Sequence, residues 1–236
     1  MIAIVNYDTG NICSVTNALK RVGCTDWVYT DDKEILMKAD KVLLPGVGEA
    51  STAMAKLAER GLDAFIPTLT QPVLGICVGT QLMCQSSEEG DVDCMGIFRT
   101  KVKKFLGQQS KLRLSESKDC LQALPSIATS TKLTDNSQQS SVNAPDSSLS
   151  ILKVPHMGWN QIANLGTPLF KDINEGAYIY YVHSFYPELC EDTIATTQYI
   201  NAFSGALGRD NFFGTQFHPE KSGAVGAQII KNFLEL

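Results

Sequence analysis

The first hundred residues alternate between short apolar runs and stretches of helical spacing, and this alternation limits the possible folds more than any other feature. Residues 2–6, Trp27-Val28-Tyr29, Val42-Leu43-Leu44 and Pro72-Val73-Leu74-Gly75-Ile76 read as strands. Between them, Ser14 to Val22 puts Val15, Ala18, Leu19 and Val22 on one face and meets Gly23 as a stop. Asp31–Ala39, with Ile35 and Leu36 inward, Ala50–Phe65, and the residues from Gly79 onward read as the other helices. Strands separated by helices require a parallel sheet, and right-handed crossovers place helices on both of its faces. The second half differs in texture. Tyr178–Val182, Ile194–Tyr199, Ala202–Leu207 and Phe212–Phe217 are aromatic and β-branched, and Gly208-Arg209-Asp210-Asn211 resembles a hairpin turn. Ala224–Leu236 closes the chain as an amphipathic helix with Ile229, Ile230, Phe233 and Leu234 inward. The expectation is an α/β fold: a mostly parallel open sheet with helices on both faces and added antiparallel strands in the C-terminal half.

Residues 107–150 break the pattern, and eleven of these 44 residues are serine. So polar a stretch buries too little surface to offset its ordering entropy. It reads as a flexible insertion in a single domain spanning 1–236, the alternative being a small helix around Cys120–Leu124. The whole chain of 236 residues, 44% hydrophobic, is long enough for one sizeable core. Net charge is −5 with no long Lys/Arg run, so nucleic acid is not an expected partner. No apolar run is long enough for a bilayer, and the first residues lack the basic and apolar regions of a signal peptide, so a cytoplasmic location is expected. The seven cysteines are odd in number and contain no C-x-x-C, which argues against a zinc site or a disulfide framework.

The chemistry concentrates in three segments. Gly75-Ile76-Cys77-Val78-Gly79 has the form G-x-C-x-G between a strand and a helix, the cysteine version of a nucleophile elbow. Small neighbours let the backbone turn sharply, and the helix N-terminus favours thiolate. The Val78 N–H is then an oxyanion donor. A buried structural cysteine in a glycine-rich turn fits the pentapeptide too. A base for Cys77 must be His156, His183 or His218. In Gly214-Thr215-Gln216-Phe217-His218-Pro219-Glu220 an extended backbone puts His218 and Glu220 on one face, where the carboxylate fixes the imidazole. The order Cys77, His218, Glu220 completes a triad, although His-Pro-Glu by itself also suits a surface turn. Leu44-Pro45-Gly46-Val47-Gly48-Glu49 ends a buried strand with two glycines that allow close approach of a ligand, supply a second oxyanion donor, and make a peptide flip sterically cheap. A plain turn is the competing reading of that segment.

Together, Pro45-Gly46-Val47-Gly48, Gly75-Ile76-Cys77-Val78-Gly79-Thr80-Gln81 and Phe217-His218-Pro219-Glu220 resemble the three signatures of the class I (triad) glutamine amidotransferases. Tyr7-Asp8-Thr9-Gly10-Asn11, Val154-Pro155-His156-Met157-Gly158-Trp159-Asn160, Tyr181-Val182-His183-Ser184-Phe185 and Gly214 to Ser222 are similar to the branch that serves as glutaminase subunits of imidazole glycerol phosphate synthases. The resemblance implies glutamine hydrolysis through Cys77, His218 and Glu220, with no cofactor and no metal. It implies oxyanion and substrate contacts at Gly46, Val47, Gly48, Val78, Gln81, Ser184 and Phe185. It also implies a heterodimer with a cyclase subunit built as a (β/α)8 barrel, which receives the ammonia. Tyr7, Asn11, Pro155, Met157 and Trp159 are the candidates for the surface facing that partner, with core packing as the competing reading. Two departures stand beside the nucleophile, Val78 and Thr80 where the family usually has Leu and Met, and they put the pocket shape in question. The other readings are a paralogous subunit feeding a sugar-modifying synthase, a cysteine peptidase on a similar elbow, and a catalytically silent regulatory subunit.

Overall fold

Four apolar runs form short strands: β1 (Ile2–Val5), β2 (Trp27–Thr30), β3 (Lys41–Leu44) and β4 (Val73–Ile76). The computed structural model describes residues 1–8, 11–106 and 152–236. The predicted insertion at 107–150, with its alternative helix near Cys120–Leu124, and the Thr9-Gly10 pair lie outside the described residues. Between the strands run α1 (Ile12–Arg21), α2 (Lys33–Lys38), α3 (Ala50–Glu59) and α4 (Val78–Leu82). Helix α3 ends six residues before the predicted Phe65 because Gly61, at φ +59°, adopts the left-handed conformation. Its N–H donates to Ala58 O and that of Leu62 to Leu57 O, the Schellman pattern that terminates a helix.

Three strands of the second half join the same sheet, whereas the expected strand over Tyr178–Val182 does not and pairs in a separate sheet. β11 (Thr193–Gln198), β12 (Ala202–Arg209) and β13 (Phe212–Thr215) extend it, giving the order β11-β12-β13-β4-β3-β1-β2. β13 pairs parallel with β4, whereas β12 pairs antiparallel with both β13 and β11. The step from β1 to β2 runs one way along the sheet, and the steps to β3 and β4 run the other. Right-handed crossovers therefore set α1 and α3 on opposite faces. Helix α1 packs with α5 (Gly223–Glu235), and α3 packs with α4. The buried residues Ile4, Val42, Leu43, Leu74, Phe203 and Phe233 lie in the core. Among the described residues no helix is long and apolar enough to cross a membrane.

Two smaller sheets were not predicted. One has the order β10-β7-β5-β6, built from β10 (Phe185–Pro187), β7 (Lys101–Lys104), β5 (Ser86–Ser87) and β6 (Val92–Asp93). The other is the antiparallel pair β8 (His156–Gln161) and β9 (Tyr178–His183). Strands of two residues carry no readable periodicity, and only the tertiary neighbours make them strands.

Candidate active site

Strands β3, β4 and β13 are parallel neighbours, and ligands of open α/β sheets bind at such carboxyl ends. Cys77 directly follows β4 with φ 54° and ψ −112°, a conformation rarely held by a residue with a side chain. Its N–H donates to Thr215 O at 2.7 Å, and its carbonyl accepts from Thr80 and Gln81 to start α4. The glycines around it answer to space. A Cβ on Gly79 would stand 1.9 Å from Leu44 O, and one on Gly75 would stand 2.8 Å from Thr80 N. Helix α4 has only five residues, so its contribution at Cys77 comes from the first N–H groups, which have no intrahelical acceptor, and not from a long macrodipole.

His218 follows β13, and its N–H donates to Tyr180 O of β9 at 2.9 Å. Glu220 lies in a 3-10 turn, Pro219–Lys221, in place of the extended segment expected. The turn still brings the two together: His218 Nδ1 donates to Glu220 Oε1 at 2.8 Å, with both side chains buried. Ser222 Oγ donates to His218 O, and the Arg21 guanidinium donates to Glu220 O, which pins the turn's backbone. Burial opposes a charge on His218, but the Cys77 sulfur and the Glu220 carboxylate outweigh it and lift its pKa to about 10.

The other two histidines are excluded as bases. His183 Nδ1 must donate to Phe185 O, at 2.7 Å, because a carbonyl only accepts. Its Nε2 then accepts from His156 Nδ1 at 2.9 Å, and His156 Nε2 accepts from Asn160 Nδ2 at 3.2 Å. Burial lowers His156 to about 4 and His183 to about 3, so both are neutral and fully committed.

A cleft of about 350 Å³ opens over Cys77. It gathers most of the predicted residues: Val47, Gly48, Val78, Gln81, Ser184 and Phe185 line it with Cys77 and His218. Gly46 stands behind the wall, where a Cβ would lie 2.1 Å from Gly79 N. It is wedged against the elbow, whereas Gly48, at φ +93°, has nothing within 4 Å of its Cβ position. Thr80, one of the two departures beside the nucleophile, points away and donates to Thr215 O at 2.8 Å. Glu89, Val182, His183 and Lys221 also line the cleft and were not predicted to. Glu89 accepts from Ala50 N at 3.0 Å, capping α3, and burial raises its pKa. Its sequence surroundings, a polar acidic turn, held no signal for this.

The five residues assigned to a partner surface divide. Tyr7 is a correction: it is fully buried, and its hydroxyl donates to Pro45 O, because the end of β1 runs beneath the Pro45-Gly46 segment. Asn11 is exposed and caps α1 by accepting from Ser14 N. Along β8, His156 points inward while Met157 and Trp159 are exposed, the alternation of a strand with one free face. Pro155 is exposed and also lines the cleft, so it touches both regions. Among the described residues no group of His, Cys, Asp or Glu side chains is arranged to hold a metal ion.

Residues 3–236 match the family described as glutamine amidotransferase class-I. The chain is 48% identical over 235 residues to imidazole glycerol phosphate synthase subunit HisH of Bacteroides fragilis, covering 100% of this chain and 99% of that one. It is 44% identical to the subunit of the same name from Pectobacterium atrosepticum, covering 99% of each. Among solved structures, a putative GMP synthase subunit from Thermoplasma acidophilum superposes with a TM-score of 0.63 at 17% identity, over 99% of this chain and 92% of that one. A likeness at that identity speaks for the fold alone.

Proposed function

The chain belongs to the class I glutamine amidotransferases, and from that premise we propose that it is the glutaminase subunit of an imidazole glycerol phosphate synthase, hydrolysing L-glutamine and passing the ammonia to a cyclase partner. The triad is common to the family; what supports the specific reading is the 48% identity across the full length of a subunit bearing that name.

In this reading Cys77 passes its proton to His218, whose imidazolium Glu220 stabilises through Nδ1. The sulfur attacks the carboxamide carbon of glutamine. The tetrahedral oxygen accepts from the Val78 N–H and from an N–H of the Gly46–Gly48 segment. His218 then protonates the departing nitrogen, ammonia leaves, and a glutamyl thioester remains on Cys77. His218, now neutral, takes a proton from water, which attacks the thioester to release glutamate. Glu220 holds the imidazole through Nδ1 and balances its charge. The cleft suits an amino-acid zwitterion. Glu89 is its one acidic lining residue and faces the α-ammonium group, and Gln81 Oε1 is a buried acceptor with no protein partner. Met157 and Trp159 on the free face of β8 supply the apolar anchor for the cyclase barrel, and Pro155 joins that face to the cleft.

The test measures glutamate release by this chain alone, with a cyclase subunit, and with cyclase plus its nucleotide ligand. Release is expected to be weak alone and large with the liganded cyclase. Cys77→Ala is expected to abolish glutamine-dependent synthesis while sparing synthesis from ammonium salts. An alanine variant that keeps most of its glutamine-dependent rate would refute the nucleophile. Failure of any cyclase to respond would refute the choice of acceptor.

A further inference from the structure

Gln216 plays no part in the triad, yet its side chain lies against the reacting sulfur. It is fully buried, and its Nε2 is 3.7 Å from Cys77 Sγ. Its orientation has one solution. The carbonyl of Phe185 only accepts, so Gln81 must turn Nε2 toward it, at 3.1 Å. The same Nε2 donates to Gln216 Oε1 at 2.9 Å, which uses both of its N–H groups. Gln216 Oε1 is thereby an acceptor, and Nε2 is left facing Cys77. Rotating the amide by half a turn would oppose two donors. The backbone is held as firmly, since Gln216 N–H donates to Gly205 O of β12 at 2.9 Å.

From this geometry we infer that Gln216 is a further catalytic residue, whose amide N–H donates to Cys77 Sγ and favours the thiolate over the thiol. A buried amide hydrogen needs an acceptor, and a thiolate is a far better one than a thiol. Gln216 and His218 both follow the end of β13, Gln216 reaching Cys77 Sγ and His218 lining the cleft beside it. The titratable groups around that sulfur are His218 with Glu220 behind it, the neutral His183, and Glu89 and Lys221 on the cleft wall. Gln216 is the uncharged donor among them. The inference rests on the glutaminase reading only for the name of the reaction, because it concerns the state of the sulfur.

The experiment follows alkylation of Cys77 by iodoacetamide in the full chain at pH values from about 5 to 9, reading the Cys77 peptide by mass spectrometry to separate it from the other thiols. In Gln216→Leu the rate-against-pH curve is expected to move up by about one pH unit, the shift that loss of one charge-assisted hydrogen bond supplies. In Gln216→Glu it is expected to move further, because a carboxylate opposes the thiolate. Superimposable curves for wild type and a folded Leu variant would overturn the assignment. If the variants do not fold, the side-chain amide resonance of Gln216 in the wild-type protein decides. It should shift on alkylation of Cys77, and an unmoved resonance would also overturn the assignment. Neither readout uses glutamine turnover, so this inference and the glutaminase reading can fail separately.

Discussion

Replacing Gly46 by alanine should disable the site by moving its backbone. The added Cβ would stand 2.1 Å from Gly79 N, 2.7 Å from Val78 C and 2.8 Å from Val78 Cβ. An ordinary contact is about 3.5 Å or more, so the nearest overlap exceeds an ångström. Two of the three atoms are backbone of the elbow, and no rotamer change relieves them. Either the Pro45-Gly46 strand end or the Val78-Gly79 peptide must shift by roughly 1 Å, and a misplacement of that size costs about 10²-fold in rate. Overpacking of this kind also destabilises by about 1–3 kcal/mol, a fall of about 2–10 °C in Tm for a domain of this size. Gly48→Ala is the control. It meets nothing within 4 Å and bears only the conformational cost of φ +93°, about 1–2 kcal/mol confined to an exposed turn. The assay is glutamine-dependent kcat of the complex with cyclase, with ammonium-dependent synthesis and thermal melting run in parallel. If Gly46→Ala keeps kcat within about threefold and Tm within about 1 °C, the elbow is not packed as described and the reasoning fails.

Glu220→Gln removes the charge that accepts from His218 Nδ1, and glutamine-dependent kcat should drop by about 10²-fold or more with ammonium-dependent synthesis unchanged. Tyr7→Phe leaves the buried Pro45 carbonyl without that donor, so urea unfolding should show a loss of about 1–3 kcal/mol. Trp159→Ala should weaken cyclase binding by about 1 kcal/mol or more in a titration while leaving the melting curve in place, because the ring is exposed in the free chain. The buried pair His156 and His183 sets an acid limit. Both take protons less readily in the folded chain, at about 4 and about 3, than their unfolded value near 6.5. Their contribution is present above about pH 6.5 and is lost as pH falls toward 4, at up to about 1.4 kcal/mol per unit for each histidine. Urea titrations of wild type and His183→Asn across that range check it, and equal slopes for the two would contradict it.

Several elements were legible in the chain because local chemistry decides them. The apolar runs of β1, β3 and β4 are buried whatever surrounds them, and Gly23 ends α1 at the point where its apolar face stops. Cys77, His218 and Glu220 could be picked out because an elbow requires small neighbours at fixed spacing, and a histidine two residues from a carboxylate can reach it through a turn or a strand alike. Other features depended on atoms distant in sequence. The pairing of β5 with β7 and β6, the burial of Tyr7 under Pro45, and the arrival of Glu89 at the cleft have no local signature. The clearest case is Gln216. Its amide is oriented by Gln81, which is 135 residues away, and Gln81 by the carbonyl of Phe185, 104 residues away. Periodicity and spacing are properties of neighbours along the chain, so they determined most of the strands, the elbow and the pairing of His218 with Glu220. The direction of a buried hydrogen bond is set by acceptors that only the folded sheet brings together, so it took the tertiary structure to decide which side chains hold the sulfur.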